Sequence, residues 1–139
     1  TSGGMGTMGY SIPAAMGAKL ADKKKQVVAV CGDGSFQMSM MELATLRQHR
    51  IPVKILVFAN QRLGMVAEYQ REYESGETAV SLDGSPDFVK LAEAYGIPGR
   101  RIDREEEIAG ALDALLEAEG SFLLEVRVDP EEPTLPSFD

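Results

Sequence analysis

An aspartate and an asparagine hold matching places in this chain. Asp33 lies in Gly32-Asp33-Gly34-Ser35 after the apolar run 27–31, and Asn60 follows 27 residues later, after a second apolar run, 53–59. If the runs are neighbouring parallel strands, a carboxylate and an amide oxygen converge beyond their carboxyl ends, where open α/β sheets bind ligands. Such hard oxygens suit Mg²⁺, which is usually held by one or two protein oxygens plus the phosphates of a ligand. A loop carbonyl after Asn60 would add a third protein oxygen, leaving the rest of the shell to a diphosphate and water. The N–H groups of Gly34, Ser35 and the residues after them could cradle phosphate oxygens at the βα turn. A Gly-Asp-Gly tripeptide alone is most often a tight turn with a solvated aspartate. The buried strand before it, the spaced Asn60 and the glycine-rich opening favour a cation site facing a phosphate.

Those groups need a scaffold. Residues 1–9 form a loop with Gly3, Gly4, Gly6 and Gly9, whose entropic cost points to close backbone approach or positive φ. Ser11 is expected to cap a small-residue helix over 11–20, with Pro13 in its first turn. Ser39-Met40-Met41-Glu42 has capping-box spacing and predicts a helix to about His49. Pro52 marks the restart, and 53–59 is β-branched and almost wholly apolar, as expected of a strand buried on both faces. A helix is predicted over 63–73, then a polar, glycine-containing loop over 74–84, expected to be mobile. Ser85-Pro86-Asp87 starts a helix with Phe88, Leu91, Ala92 and Tyr95 on one face and Gly96 as its stop. Asp103 and Glu106 form a capping pair before Ile108, Ala111, Leu112 and Leu115, Gly120 ends that helix, and 122–128 is the last clear strand. This order predicts an α/β domain over residues 1–129, a doubly wound, mainly parallel sheet with helices on both faces, and an extended tail over 130–139.

The whole chain narrows the function classes. At 139 residues it is one domain, able to bury about two-thirds of its unfolded surface. No apolar run approaches the ~18 residues that span a bilayer, and no signal-peptide pattern opens the chain, so no membrane partner is expected. The lone Cys31 excludes an internal disulfide, which fits a cytoplasmic location, and reads as a small buried thiol. The net charge of −8 is uneven: residues 1–70 carry 8 Lys+Arg against 4 Asp+Glu, and residues 71–139 carry 6 against 18. An acidic total without aromatic–basic interleaving argues against nucleic acid as a partner. Lys23-Lys24-Lys25 precedes the first strand and reads as a solvated turn opposite Asp33. Met38, Met40 and Met41 read as core filler. His49 suits a helix C-terminus and has no acidic or serine partner in view for general-base work.

The motifs carry a specific resemblance. Gly32-Asp33-Gly34 with Asn60 resembles the thiamine diphosphate motif. Residues 1–10 (Thr-Ser-Gly-Gly-Met-Gly-Thr-Met-Gly-Tyr), Gly34-Ser35-Phe36-Gln37-Met38, Glu42-Leu43-Ala44-Thr45 and Gln61-Arg62-Leu63-Gly64-Met65-Val66 resemble the catalytic subunits of the acetohydroxyacid synthase (acetolactate synthase) family. The resemblance covers most of this chain but only the C-terminal, diphosphate-binding third of that enzyme. It implies the thiamine diphosphate-binding fold, with thiamine diphosphate and Mg²⁺ as cofactors. It makes Asp33, Asn60 and the Arg62 carbonyl the metal ligands, and Gly32, Gly34 and Ser35 neighbours of the diphosphate. Gly6 and Met8 fall on the pyrimidine side, Gly64 and Met65 over the diphosphate, and Met65, Val66 and Tyr69 along the substrate channel. It also implies decarboxylation of pyruvate and transfer of the two-carbon unit to a second 2-keto acid, in branched-chain amino acid biosynthesis.

In that family each site lies between two chains, and the activating glutamate sits on a partner's pyrimidine-binding domain, for which these residues contain no match. The resemblance therefore implies a homo-oligomer, leaves a regulatory subunit open, and predicts that the chain alone is inactive, with exposed apolar surface near Met5, Met8 and Met65. Two positions depart from the family pattern. Ala59 replaces the first asparagine of a pair, and Tyr69 replaces a tryptophan that shapes the second keto-acid site. Another thiamine diphosphate decarboxylase or carboligase, of the benzoylformate decarboxylase or glyoxylate carboligase kind, would share Asp33 and Asn60 but not 61–66. A non-catalytic α/β module, such as a receiver-like domain with Asp33 as phosphoacceptor, would need acidic neighbours, whereas Asp33 has glycines on both sides and no acidic residue lies between it and Glu42.

Overall fold

The computed structural model describes residues 1–133. Four strands, β1 (Val28–Gly32), β2 (Lys54–Ala59), β3 (Gly99–Ile102) and β4 (Phe122–Arg127), form one sheet in the order β1-β2-β4-β3, every neighbouring pair parallel. Gly32 pairs with Phe58, so Asp33 and Asn60 leave the sheet at the same carboxyl edge from adjacent strands.

Alternation along the strands divides the apolar residues between two faces. Ala29, Cys31, Ile55, Val57 and Leu123 pack under α1 (Ser11–Ala21), α2 (Asp33–Gln37), α3 (Glu42–His49) and α5 (Phe88–Ala94) through Ile12, Phe36, Leu43, Leu46, Phe88 and Ala92. Phe36 meets Phe88 edge-on at 5.0 Å. On the other face Ile102 and Leu124 pack under Ala111 and Leu115 of α6 (Ile108–Glu117). The predicted doubly wound arrangement is therefore present. Strand β2 is covered on both faces only over its first half, where Lys54 is buried and Leu56 packs beside the α6 cluster, and Val28, Val30 and Phe58 stand exposed on the rest of that face.

Several local expectations are corrected. Ser11 does not cap α1; it is its first residue, and its Oγ donates to the Val30 carbonyl at 2.9 Å. Ser39 opens no capping box: it is buried in a turn whose carbonyl accepts from the Glu42 amide, and α3 starts at Glu42 without a side-chain cap. The Asp103 and Glu106 pair is replaced by Glu107, whose Oε2 accepts from the Asp103 amide at 3.4 Å, and a 3₁₀ turn (Glu105–Glu107) precedes α6. That helix ends at Glu117, before Gly120. Strand β3 was not anticipated.

Other signals hold. Asp87 caps α5 by accepting from the Lys90 amide at 3.0 Å. Gly96 ends the helix at φ +72°, with the Gly96 and Ile97 amides returned to the Glu93 and Ala92 carbonyls, a Schellman closure. Lys23, Lys24 and Lys25 form an exposed turn. The 74–84 segment is irregular but anchored, by an isolated bridge between Arg62 and Ser81 and by Gln70 bonded to Thr78. Pro130 and Glu131 sit in a turn whose Glu132 amide donates to the Asp129 carbonyl; the last six residues of the predicted tail lie outside the described residues.

Helix α3 ends like α5 but with Arg50 in the left-handed region at φ 52°, a conformation that glycine adopts without steric penalty. The Arg50 side chain is exposed. Arg50→Gly is expected to raise stability by about 0.5–1 kcal/mol through relief of that strain, read as a higher urea midpoint at unchanged slope.

Candidate functional site

Asp33 is 1 % exposed. It opens α2, and its carboxylate is fixed from two sides: Oδ1 accepts from the Gly34 amide at 2.8 Å and Oδ2 from the Gln61 amide at 2.7 Å. The second bond ties the βα turn after β1 to the loop after β2, and Gln61 accepts a left-handed φ of 56° within it. Asn60 Oδ1 accepts from the Arg62 amide at 3.1 Å, and the Leu63 and Leu82 amides bond the Val80 and Gln61 carbonyls. The Arg62 carbonyl accepts no hydrogen bond from the described residues.

Burial raises the pKa of the Asp33 carboxyl above its ordinary 3.8, opposed by the Gln61 and Gly34 amides, with the Glu125 carboxylate adding a smaller upward push. Each carboxylate oxygen takes one bond from protein and keeps a lone pair. Among the described residues no group of three or more His, Cys, Asp or Glu side chains could hold a metal ion. A cation here would therefore rely on one carboxylate, one amide oxygen and one peptide oxygen, with a ligand's anionic oxygens completing the shell. The free Arg62 carbonyl and the spare Asp33 lone pairs are donors of the kind Mg²⁺ takes.

The residues singled out from the sequence meet at one place. A cleft of about 1020 Å³ is lined by Gly6, Met8, Gly32, Asp33, Gly34, Ser35, Asn60, Arg62, Gly64, Met65, Val66 and Tyr69. Some play parts other than expected. The Gly34 amide is taken by Asp33 itself, and a Cβ on Gly34 would fall 2.5 Å from Leu63 Cδ2, so glycine there serves packing. Ser35 Oγ accepts from the Gly9 amide at 2.9 Å, anchoring the glycine-rich loop to α2. Gly6 and Gly9 hold φ of 58° and 80°, which fits their glycine identity. Tyr69 and Tyr73 of α4 (Gly64–Tyr73) meet with ring centroids 4.8 Å apart and planes tilted by 42°, both exposed, and the Ala59 carbonyl accepts from the Val128 amide.

The lining also includes Leu63, which lies within the 61–66 motif without a role assigned to it, and Phe58, Val128, Asp129, Glu132 and Pro133, which no sequence motif marked. Nor did any signal mark Gln61 as the residue joining the two loops; only its place beside Asn60 hinted at it. On the other side of the Asp33–Gln61 contact lies a polar pocket of about 190 Å³, bounded by Ser85, Asp87, Arg101 and Glu125. Glu125 is 3 % exposed. Arg101 Nη2 donates to its Oε2 at 2.9 Å, while Nε stands 2.9 Å from Oε1 without hydrogen-bond alignment, and Nη2 also reaches Asp87 at 3.0 Å.

Cys31, two residues before Asp33 in β1, is buried, and that burial pushes its thiol up to about 12, helped by the Asp33 charge. Thiolate is the reactive form. Cys31 is expected to resist iodoacetamide at pH 8 and to react fully only in denaturant; rapid native labelling followed by mass spectrometry would contradict this.

A parallel α/β sheet with an acid and an amide at the tips of adjacent strands, beside a glycine-rich loop, defines a domain of the diphosphate-cofactor-binding class. The chain belongs to the family of C-terminal thiamine pyrophosphate-binding domains of thiamine pyrophosphate enzymes, matched over residues 1–126. It is 42% identical over 137 residues to the acetolactate synthase isozyme 2 large subunit of Escherichia coli (strain K12), covering 98% of this chain and 25% of that protein. It is 43% identical to the mitochondrial acetolactate synthase catalytic subunit of Saccharomyces cerevisiae, covering 98% of this chain and 20% of that one. A solved thiamine diphosphate-dependent 4-hydroxybenzoylformate decarboxylase of Rhodococcus jostii RHA1 superposes with a TM-score of 0.82 at 35% identity, over 88% of this chain and 23% of that chain. The chain thus spans a quarter or less of the proteins it matches.

Proposed function

We propose that this chain is the diphosphate- and Mg²⁺-binding domain, residues 1–129, of an acetolactate synthase. The observation that carries the reading is the convergence of Asp33, Asn60 and the free Arg62 carbonyl on one cleft with the glycine-rich loop. Asp33, Asn60 and Arg62 would hold the metal, Gly32, Gly34 and Ser35 would meet the diphosphate, and Gly6, Met8, Gly64 and Met65 would flank the thiamine. Met65, Val66 and Tyr69 would border the path of pyruvate and the second 2-keto acid. Thiamine diphosphate when bound supplies the carbon–carbon chemistry of 2-keto acid decarboxylation and carboligation. This chain's own part is to grip its diphosphate end through a metal and to wall the channel with apolar side chains.

Near-full coverage of this chain by acetolactate synthases at 42% and 43% identity supports the substrate class. The likeness to a decarboxylase favours a second reading, a thiamine-dependent decarboxylase acting on one keto acid. Growth of a branched-chain auxotroph on the full-length protein carrying this domain would separate the two. Met5 and Met65 are 88% and 63% exposed, which supports burial of this rim against another domain in a homo-oligomer. No helix of the described residues is long and apolar enough to cross a membrane, in keeping with a cytoplasmic setting.

The test is calorimetric titration of the chain with thiamine diphosphate, with and without Mg²⁺. Weak binding seen only with Mg²⁺ is expected, together with no acetolactate from pyruvate, because half of the site is elsewhere. Binding indifferent to metal would overturn the metal assignment, and turnover by the chain alone would overturn the two-domain reading.

A further inference from the structure

The role expected of Arg62 uses only its peptide carbonyl, yet its guanidinium is the centre of a closed ring of charge. It pairs with Glu77 and Glu131, and Arg71 pairs with the same two carboxylates, Nε to Glu77 Oε1 at 3.0 Å and Nη1 to Glu131 Oε2 at 2.9 Å. The Arg62 side chain is 14% exposed and that of Glu77 25%, so water screens this pair less than it does free surface pairs, while Arg71 at 44% and Glu131 at 62% stand more open. The ring ties together, through side chains, the loop after Asn60, the end of α4 with the residues beyond it, and the turn after β4, segments that backbone bonds join only in pairs. Two positive and two negative groups cancel, so the ring adds little net field to the cleft. What it supplies is fixed geometry. The Arg62 amide is held by Asn60, and its neighbours are bonded across to 80–82. Both the peptide and the side chain of this residue are thus gripped while its carbonyl alone stays free.

We propose that Arg71, Glu77 and Glu131 are positioning residues for the cleft, holding Arg62 so that its free carbonyl is presented beside the Asp33 carboxylate and the Asn60 amide as a third oxygen donor. The inference rests on the metal–diphosphate reading of that cleft. Arg62 reaches the two carboxylates through separate nitrogens of its planar fork, Nη2 to Glu77 and Nη1 to Glu131, a divided geometry that the single nitrogen of a lysine does not offer.

Substituting opposite charges separates positioning from a through-space field. Glu77→Gln leaves the ring net positive and Arg71→Gln leaves it net negative. A field effect would weaken divalent-cation binding in the first and strengthen it in the second, whereas loss of positioning weakens it in both. The full chain is titrated with Mn²⁺ at fixed thiamine diphosphate and free metal is read by electron paramagnetic resonance, with thermal unfolding recorded alongside. Both variants are expected to need about tenfold more Mn²⁺ for half-saturation, the usual effect of losing a group that orients a metal ligand. Thiamine diphosphate affinity at saturating metal is expected to stay near the wild-type value. Glu131→Gln, on a more exposed side chain, replaces Glu77→Gln if that variant unfolds; if Arg71→Gln unfolds, the Glu77→Gln titration is repeated at high salt, which screens a field and leaves a positioning loss in place. Unchanged half-saturation in the variants, or shifts of opposite sign, would overturn the inference and leave the cleft assignment standing. A wild-type chain that takes up no Mn²⁺ with thiamine diphosphate would overturn both.

Discussion

Asp33→Ala is expected to abolish Mg²⁺-dependent thiamine diphosphate binding, with an effect larger than the about 10–100-fold that loss of a supporting partner produces, because a ligand itself is removed. The substitution also deletes the acceptor that joins the Gly34 and Gln61 amides, at 2.8 and 2.7 Å. Leaving two amides unpaired would destabilise by about 1–3 kcal/mol each where water cannot reach them. Removing a carboxylate that is 1 % exposed works the other way, since burying a charge is itself unfavourable. The net change in stability is therefore expected to be small against the loss of binding, and calorimetry beside urea unfolding separates the two. A variant that keeps metal-dependent affinity would remove Asp33 from the site.

The second large effect concerns stability. Arg101→Met would leave the Glu125 carboxylate in the polar pocket behind Asp33 with only the longer contact to Arg127 Nε at 3.9 Å, and breaking a buried ion pair destabilises by about 3–5 kcal/mol. Arg101 is itself 27% exposed, so about 2–3 kcal/mol is the expected loss at neutral pH after allowing for water at its open side. Arg101→Met with Glu125→Leu should restore much of it, because a well-packed apolar pair removes the stranded charge. A double variant no better than the single one would refute the ion-pair explanation.

This network also carries a pH signature. The Lys90 amide first, and Arg101 to a lesser degree, hold the Asp87 carboxyl below its ordinary 3.8. A carboxyl whose folded value is depressed contributes stability above its unfolded value and loses it as pH falls through the folded one. The gap between wild type and Arg101→Met should therefore be widest above pH 3.8 and narrow below it, as followed by urea unfolding across that range.

Glu125 and Lys54 show where reading residues in order stopped. Each interrupts an apolar strand and would be placed on a wet face by local pattern, yet each is 3 % exposed. Lys54 is buried because its ammonium reaches the Ala118 and Gly120 carbonyls, the latter at 2.6 Å, just beyond α6. Helix C-terminal carbonyls lack partners within the helix. Glu125 is buried because Arg101 lies on the neighbouring strand. Both partners are distant in sequence, and no window along the chain contains the pair. Strand β3 was missed for the same reason: Gly99-Arg100-Arg101-Ile102 has no alternation of its own and becomes a strand by pairing with β4. Helix α2 was hidden because Gly-Asp-Gly reads as a turn, and Phe36 locks it by packing on Phe88.

The family resemblance marked most of the residues that gather in the cleft; by itself the local pattern determined the parallel α/β class and two adjacent strands and their ends. These follow from short-range physics: apolar runs bounded by glycine and proline make strands, and parallel strands bring the loops at their carboxyl ends to one edge. Only the tertiary structure decided how the site is braced. The Gln61 amide on Asp33, the free Arg62 carbonyl and the ring through Arg71, Glu77 and Glu131 arise from contacts between segments that meet only after the sheet has formed. Their geometry depends on where packing places three loops in space, which local residue preference does not encode.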